Sequence, residues 1–263
     1  MMGLHNFLSS CLKRIINLMP SSILVILEDK IWFSLGKGSG AGATEFEAKI
    51  VAQFIKSHEL SRVVALDVGA NLGNWTAALL NQVPGIKIIA FEPSAETYSK
   101  LYNRFKDNTA VNCINQALGD HDGTVSLFSD TNSSNLASLT KRRVDHFDLE
   151  FSIEEKFTIS KLDTWIQSQP PQLKPNVLKM DVEGHELDVL RGGLKALSDI
   201  EIIQFEFGGS NIDTKTYFQD FWYFFSELNF QIFRITPSGP LRINQYSESH
   251  ETFRTTNYVT IRA

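Results

Sequence analysis

Cysteine is scarce in this 263-residue chain, which has only Cys11 and Cys113, far apart in the sequence. Two distant cysteines form neither a disulfide framework nor the close spacing of a zinc site, so they favour a reducing cytoplasm. Basic residues are outnumbered by acidic ones, and the formal net charge is −5. Nucleic-acid binding needs clustered lysine and arginine. The dense cluster Lys141-Arg142-Arg143 is short and is interpreted as a solvated loop, so we expect no nucleic-acid partner.

Long apolar runs are also missing near the N-terminus. Residues 11–30 read CLKRIINLMPSSILVILEDK, and Pro20 with two serines interrupts the apolar stretch. A span needs about 20 consecutive apolar residues, so we expect no integral membrane segment. We interpret residues 1–43 as an N-terminal helical extension with a glycine-rich connection, able at most to make a weak peripheral membrane contact. Residues 44–263 are expected to form one domain.

Buried strands alternate with helices through most of that domain. The strand sequences are RVVALDVG, IKIIAFEP and AVNCINQALG, then NVLKMDVEG and EIIQFEFG, with helical sequences such as NWTAALLNQV and AETYSKLYNRF between them. This alternation predicts an open α/β sheet that is mainly parallel, with right-handed crossovers. The last two strands, FQIFRI and NYVTIRA, have no helix between them and are expected to pair antiparallel.

The segment from Asp120 to Lys161 breaks the alternation. GTVSLFSD and FTISKLDTW are predicted as strands, and TNSSNLASLTKRRVD between them as a loop. Such an insertion would lie over the carboxyl ends of the sheet, where it could meet a substrate. The later helix YFQDFWYFFSELN is dense in aromatic residues, whose helical spacing favours core packing over a role in stacking on a ligand.

Ligands of open α/β sheets bind outside the carboxyl ends of the strands. The loop DVGANLGNW after the first strand has Gly69 and Gly73, but Asn71 stands where a dinucleotide loop has its middle glycine. A dinucleotide is therefore disfavoured without being excluded, and glycines that serve only packing are the alternative. Glu92 ends the second strand, where a carboxylate can accept hydrogen bonds from a ribose diol. Together these features favour an adenosine-type ligand.

The stretch LKMDVEGHELDVLRGG gathers acids and a histidine where a strand ends and a helix begins. His185 can titrate near neutral pH and is the simplest general base, while Asp181 could orient a hydroxyl or take its proton. Glu183 could bind a polar substrate, and Glu186 is interpreted as a helix cap. Carboxylates at Asp181, Glu183 and Glu206 could instead bind Mg²⁺ or Ca²⁺, but we expect no metal.

Five segments in this order and spacing carry a resemblance: DVGANLGNW, FEPSAETYSKL, NQALGD, LDTW and LKMDVEGHELDVLRGG. The chain resembles the FkbM-type methyltransferase family, class I enzymes that use S-adenosylmethionine. The resemblance covers about residues 43–263 and leaves the stretch before Gly36 outside. It implies a Rossmann-like sheet of seven strands with helices on both faces and the last strand antiparallel.

The resemblance also implies roles for individual positions. The loop residues would line the methionine part of the cofactor, Glu92 would hold the ribose, and Asp181 would face the reacting centre. Residues after the third strand would contact the adenine. The implied cofactor-binding set is Asp67, Gly69, Asn71, Gly73, Glu92, Ala117, Leu118, Asp120 and Asp181, and the catalytic candidates are Asp181, His185 and Glu183.

The expected function is O-methylation of a hydroxyl on a sugar or a polyketide- or peptide-type metabolite, with S-adenosylmethionine as cofactor. The expected partner is thus a small molecule or glycan. Two alternatives stay open: a cofactor-binding scaffold that has lost its chemistry and regulates a partner, and an NAD-dependent oxidoreductase.

Overall fold

The computed structural model describes residues 13, 15–38, 40, 44–130, 137–143 and 145–263. Helices and strands are numbered in chain order from the first whose bounds are described. The helices are α1 (Ser21–Ser34), α2 (Thr44–Ser57), α3 (Asn74–Gln82), α4 (Ala95–Phe105), α5 (Leu162–Gln167), α6 (Glu186–Gly192), α7 (Ser210–Thr214) and α8 (Phe218–Glu227). The strands are β1 (Val64–Val68), β2 (Lys87–Phe91), β3 (Val111–Ile114), β4 (Ala117–Gly119), β5 (Gly123–Ser129), β6 (Ile153–Lys161), β7 (Val177–Met180), β8 (Ile202–Phe207), β9 (Phe230–Thr236), β10 (Gly239–Ile243) and β11 (Thr256–Arg262).

The main sheet has the strand order β10-β9-β11-β8-β7-β1-β2-β3. The neighbours from β8 to β3 pair in parallel, and β11 lies antiparallel between β8 and β9. This confirms the mainly parallel Rossmann-like sheet with an antiparallel last strand. The sheet has eight strands where seven were expected, because residues 239–243 form a hairpin on β9. Pro240 is tolerated there because β10 is an edge strand.

Helices cover both faces of the sheet, as predicted, because alternate strand residues point to opposite sides. Leu66 and Val68 of β1 join a core with residues of α6 and α8. Ala65 points the other way, into a core with residues of α2 and α3. The aromatic helix α8 packs as predicted, since Phe218, Phe221 and Phe225 are fully buried.

The predicted third strand divides in two. Val111–Ile114 pairs with β2 in the main sheet, whereas Ala117–Gly119 leaves it and pairs in parallel with β6. The predicted strand GTVSLFSD is present as β5. The predicted strand FTISKLDTW is wrong in its second half, because β6 runs from Ile153 to Lys161 and the LDTW residues begin helix α5. Strands β5 and β6 pair antiparallel and complete a small sheet of order β4-β6-β5. The predicted loop between them falls partly on residues 131–136 and 144, outside the described residues.

Helix α1 precedes the domain and touches it through few side chains. The guanidinium of Arg254 lies 4.3 Å from the ring centroid of Trp32 and forms an ion pair of 2.9 Å with Asp29. Helix α2 packs into the core and begins at Thr44, although the boundary at residues 43 and 44 stays a prediction. Within the described ranges, every helix is too short or too polar to cross a bilayer.

Candidate active site

A cavity of about 1350 Å³ lies at the carboxyl ends of the parallel strands. Seven of the predicted site residues line it: Gly69, Asn71, Glu92, Ala117, Leu118, Asp181 and Glu183. They come from the loops after β1, β2 and β7 and from β4, which the strand-end rule for open sheets groups together. The structure thus brings most of the predicted residues to one place, while their individual roles stay predictions.

Gly69 fixes the distance between the β1 and β7 loops. Its φ is +74°, and a Cβ added there would overlap the backbone carbonyl oxygen of Asp181. A residue with a side chain would therefore push the two loops apart. Gly73 was predicted to line the cofactor site, but it is not part of the cavity lining, because its Cα faces Leu101 and Phe105 of α4. Its role in the described structure is helix packing.

Glu92 is buried at the end of β2, with 7% of its surface exposed. Its two carboxylate oxygens accept hydrogen bonds from the backbone N–H groups of Asn71, at 2.9 Å, and Ser94, at 3.0 Å. Burial raises the pKa of the Glu92 carboxyl to about 7, while these backbone hydrogen bonds oppose the shift. A carboxylate has about four lone-pair sites, so this rigidly held group can still accept hydrogen bonds from a ligand in the cavity.

Asp67 was predicted to line the cofactor site, but it is not part of the cavity lining and is fully buried beneath the loop. The side chain points to the opposite face of β1 from Leu66 and Val68. There Asp67 accepts a hydrogen bond of 2.7 Å from the Thr76 hydroxyl and forms an ion pair of 3.1 Å with the Lys179 ammonium. Its contacts are internal, so it supports the loop rather than facing a ligand.

Lys179 also lines the cavity, although it was not predicted from the sequence. Its ammonium donates to the carbonyl oxygen of Gly69 at 3.1 Å and lies 3.6 Å from the Asp181 carboxylate. Burial lowers the pKa of Lys179, but Asp67, Asp181 and Glu47 outweigh that effect and raise it above its ordinary value. The sequence feature that could have identified it is a lysine inside the apolar strand NVLKMD, because a buried lysine needs charged partners nearby.

Three carboxylates meet beside Lys179. One oxygen from each of Asp181, Glu183 and Glu206 lies within 4.8 Å of the other two. Burial and the Asp181 charge raise the pKa of Glu183 to about 8, and the same two causes raise that of Glu206 well above its ordinary value. Such a group lowers its repulsion by taking up protons or by facing a cation. Its hard oxygen ligands are of the kind that Mg²⁺ and Ca²⁺ prefer.

Arg142 is not the solvated loop residue that was predicted from the sequence. Its side chain is 7% exposed and forms ion pairs with Glu183 at 2.9 Å and Asp213 at 3.2 Å. Arg143 is 89% exposed in its side chain and fits the prediction. The segment containing Arg142 also bonds to the β7 loop through Ser138, whose hydroxyl donates to the Glu183 carbonyl at 3.0 Å. These contacts hold the segment between β5 and β6 against the β7 loop, next to the carboxylates of Asp181, Glu183 and Glu206.

His185 does not face the main cavity. It lines a second cavity of about 340 Å³ together with Asp120, which was predicted to lie near the adenine and is likewise absent from the lining of the main cavity. Both ring nitrogens of His185 have partners, since Nδ1 lies 2.8 Å from Asp188 and Nε2 lies 3.0 Å from the Thr140 hydroxyl. The turn explains the outcome, because Glu183 and Gly184 both have positive φ and redirect the next side chain.

Two further motif residues have structural contacts. Glu186 is 1% exposed, and its carboxylate accepts hydrogen bonds from the N–H groups of Val182 and Gly184 at the start of α6. Both amides belong to the loop before α6, so Glu186 stabilises that turn, and its interpretation as a cap of the helix amides is not supported. Asp163 of the LDTW segment accepts from the N–H groups of Lys195 and Ala196. Neither carboxylate belongs to the cavity lining.

Glu47 is a second lining residue that was not predicted from the sequence. It lies on α2, is 8% exposed, and accepts hydrogen bonds from the side-chain amides of Gln204, at 2.9 Å, and Asn257, at 2.8 Å. Gln204 in turn accepts from the Trp75 indole N–H at 2.8 Å. Burial raises the pKa of Glu47 to about 7, and the Asp181 charge adds to the shift. An acid on the apolar face of α2 was the available signal.

Cationic side chains around the cavity are already paired with acids. The lysine and arginine residues among the described lining are Arg142, Arg143, Lys179 and Arg254, and each forms an ion pair with a carboxylate. A diphosphate would have to compete for these pairs. A ligand with hydroxyl groups and positive charge would find carboxylates facing it, so the donor set fits an adenosyl sulfonium better than a dinucleotide.

Comparison with known proteins gives a family match over the central part of the chain, which contains most of the cavity residues. The model described as "Methyltransferase FkbM domain" matches residues 67–232. These residues include the loops after β1, β2 and β7 and exclude α2 and β11. The match therefore covers the centre of the cavity and omits the wall that Glu47 and Asn257 form.

Three curated relatives are similar to part of the chain. "Methyltransferase 1" of Beauveria bassiana is 26% identical over 48% of this chain and 57% of its own length. "Hexuronic acid methyltransferase AglP" of Haloferax volcanii is 30% identical over 53% of this chain and 54% of its own. "2-O-methyltransferase NoeI" of Sinorhizobium fredii is 23% identical over 62% and 71%. The chain thus spans just over half the length of the first two relatives.

Proposed function

The chain belongs to the FkbM methyltransferase family, and we propose from this premise that it is an S-adenosylmethionine-dependent O-methyltransferase. The observation that carries the proposal is the presence of Glu92 and Asp181 in one cavity, at the ends of β2 and β7. These strands flank β1 in the sheet. One ligand of adenosyl size can therefore contact all three loops.

S-adenosylmethionine, when bound, supplies an electrophilic methyl group on a sulfonium. The Glu92 carboxylate would accept hydrogen bonds from its ribose hydroxyls. The loop containing Gly69 and Asn71 would surround its aminocarboxylate end, and the buried apolar side chains of Ala117 and Leu118 would offer a surface to its adenine. The paired state of the lining cations supports this ligand over NAD.

Asp181 is proposed to act on the methyl acceptor. Its side chain is 43% exposed, and its carboxylate lies 3.6 Å from the Lys179 ammonium. This position lets it orient an incoming hydroxyl and take its proton as the oxygen attacks. Glu183 and Glu206 are proposed to bind other polar groups of the acceptor. We do not assign the base to His185, because its ring nitrogens are bonded and it lines the other cavity.

The acceptor is proposed to be a hydroxyl on a sugar. This rests on the relatives, one named for a hexuronic acid and one for 2-O-methylation, and on the carboxylates of the cavity, which suit hydroxyl-rich ligands. Hydroxyls on polyketide- or peptide-type metabolites are the second choice. The cytoplasmic location and the lack of a nucleic-acid partner stay predictions from the sequence.

Calorimetry and a transfer assay test the proposal. The protein is titrated with S-adenosylhomocysteine and with NAD, and it is then incubated with methyl-labelled S-adenosylmethionine and a panel of glycans, uronic acids and hydroxylated metabolites. We expect binding of S-adenosylhomocysteine and labelling of at least one sugar hydroxyl. Binding without transfer to any acceptor would support the inactive scaffold, and binding of NAD alone would support the oxidoreductase.

A further inference from the structure

Helix α1 leaves an unusual amount of apolar surface exposed. None of its 14 residues is buried against the described chain. Residues Ile23–Leu27 are five consecutive aliphatic side chains, and Val25 and Ile26 are 57% and 61% exposed. Exposed aliphatic residues continue before the helix, where Leu18 is 85% exposed. Contiguous exposed apolar surface of this kind marks an interaction site.

The distribution of these side chains around the helix favours lipid over a flat protein surface. Successive helical residues are about 100° apart, so five in a row point in all directions. A partner helix or a second copy of the chain covers one stripe. A helical segment that is apolar on every side needs an apolar environment on every side. The acyl boundary of a bilayer can surround the end of a helix in this way.

Charge supports the same partner. Residues 1–43 contain four lysine or arginine residues and two acids, a formal charge of +2, whereas the whole chain carries −5. One of the two acids, Asp29, is neutralised by its ion pair with Arg254. The extension is thus the positive part of an acidic protein, and cations beside an apolar segment attract anionic lipid headgroups.

We propose that α1 inserts its N-terminal half into the surface of an anionic bilayer, with Glu28, Asp29 and Lys30 at the level of the headgroups. A helix of 14 residues is about 21 Å long and a hydrocarbon core is about 30 Å thick, so the helix enters one leaflet only. The connection after α1 reaches the main cavity, which Gly38, Gly40 and Arg254 line. The docked enzyme therefore holds its cavity beside the membrane, where an acceptor carried on a lipid could enter.

Vesicle sedimentation of the full chain tests this proposal. The vesicles are pure phosphatidylcholine or phosphatidylcholine with about one-third phosphatidylglycerol. We expect the protein to sediment with the anionic vesicles and to be released by salt, because screening weakens headgroup attraction. A double variant, Val25→Asp with Ile26→Asp, should lower the bound-to-free ratio at least about tenfold, since charges replace the inserted side chains.

Leu194→Asp is the matched control, because Leu194 is 54% exposed and lies far along the chain from α1. It should bind vesicles like the original protein, and all variants should bind S-adenosylhomocysteine equally. Two results would overturn the proposal. One is a protein that stays unbound with both vesicle types. The other is light scattering that shows a dimer for the original protein and a monomer for the double variant, which would mean that a second copy of the chain covers α1.

Discussion

The Lys179 ammonium, which lines the cavity, lies 3.1 Å from the Asp67 carboxylate, and both side chains are buried. A buried ion pair of this kind carries a large desolvation cost, which the attraction between the charges offsets together with the hydrogen bonds to Thr76 and Gly69. The same ammonium contacts the Gly69 carbonyl and faces Asp181. One cation therefore connects the interior of β1, the first loop and the acid proposed to act on the acceptor.

Replacement of Lys179 by Met should destabilise the protein by about 3–5 kcal/mol, because Asp67 is left buried without a counter-charge. Urea unfolding followed by circular dichroism measures the change. The double variant Asp67→Asn with Lys179→Met should recover part of the loss, since it removes both charges. If the single Lys179 variant unfolds at the same urea concentration as the original protein, the ion pair contributes nothing to stability.

Glu92→Ala should weaken binding of S-adenosylhomocysteine by about 1–3 kcal/mol, because hydrogen bonds to the ribose hydroxyls are lost. Isothermal titration calorimetry measures the affinity. Glu154→Gln is the control, since Glu154 is an exposed acid that lines the same cavity. Its affinity should not change. An unchanged affinity of the Glu92 variant would mean that the ribose lies elsewhere.

Asp181→Asn should lower the rate of methyl transfer by about 10²- to 10⁴-fold, the usual contribution of a positioned proton acceptor. Binding of S-adenosylhomocysteine should change only a few-fold. The comparison variant His185→Gln should lose less than about tenfold, because His185 lies outside the main cavity. Rates with labelled cofactor decide between the two residues. A larger loss in the His185 variant would return the role of base to the histidine.

Stability should fall as pH rises from about 5 to 8. Burial raises the pKa of Glu186 to about 7 in the folded protein, whereas its ordinary value is 4.5. Between these values the folded state holds a proton that the unfolded state has lost. The contribution to stability is therefore greatest at low pH and is lost as pH passes the folded pKa.

In Glu186→Gln, the loss of unfolding free energy between pH 5 and pH 8 should be smaller by about 1–3 kcal/mol, because the amide cannot ionise. Urea unfolding at several pH values between 5 and 8 measures the slope. Glu227→Gln serves as the control, since Glu227 is exposed on α8, and it should leave the slope unchanged. Equal slopes for the Glu186 variant and the original protein would contradict the assignment of the proton to Glu186.

Gly69→Ala should cost at least about 3 kcal/mol, because the new methyl group meets the Asp181 carbonyl in addition to the strain of a positive φ. Gly85 offers a matched comparison. Its φ is +79° and an added Cβ meets nothing within 4 Å, so Gly85→Ala should cost only about 1–2 kcal/mol. Thermal unfolding of both variants gives the difference. Equal costs would show that the loops can move apart freely.

The sequence predicted the sheet and much of the cavity because both follow from local rules. Apolar runs identified β1, β2, β7 and β8, and the strand-end rule then grouped Glu92 with Asp181. The eighth strand was missed because residues 239–243 form it only by folding back on β9. The edge hairpin has little apolar pattern of its own, since three of its five residues are exposed.

The errors within the site have a different origin. His185 stands only four residues after Asp181, but two left-handed residues between them turn its side chain away. Asp67 precedes the loop by two residues, yet the alternation of a strand sends it into the interior. Glu47 and Lys179 depend on contacts between distant segments. Motif spacing identifies which loops meet, and backbone direction then decides which side chains face the ligand.

The hydrogen bonds that join Glu47 to Gln204 and Asn257 have a consequence for protein engineering. They make one wall of the cavity from α2, β8 and β11, although the family match ends before β11 and starts after α2. A chimera that transplants only residues 67–232 into a relative would separate Gln204 from Glu47 and would leave behind Asn257, the second donor to Glu47. Swaps intended to exchange acceptor preference should therefore carry α2 and β11 along as a single unit.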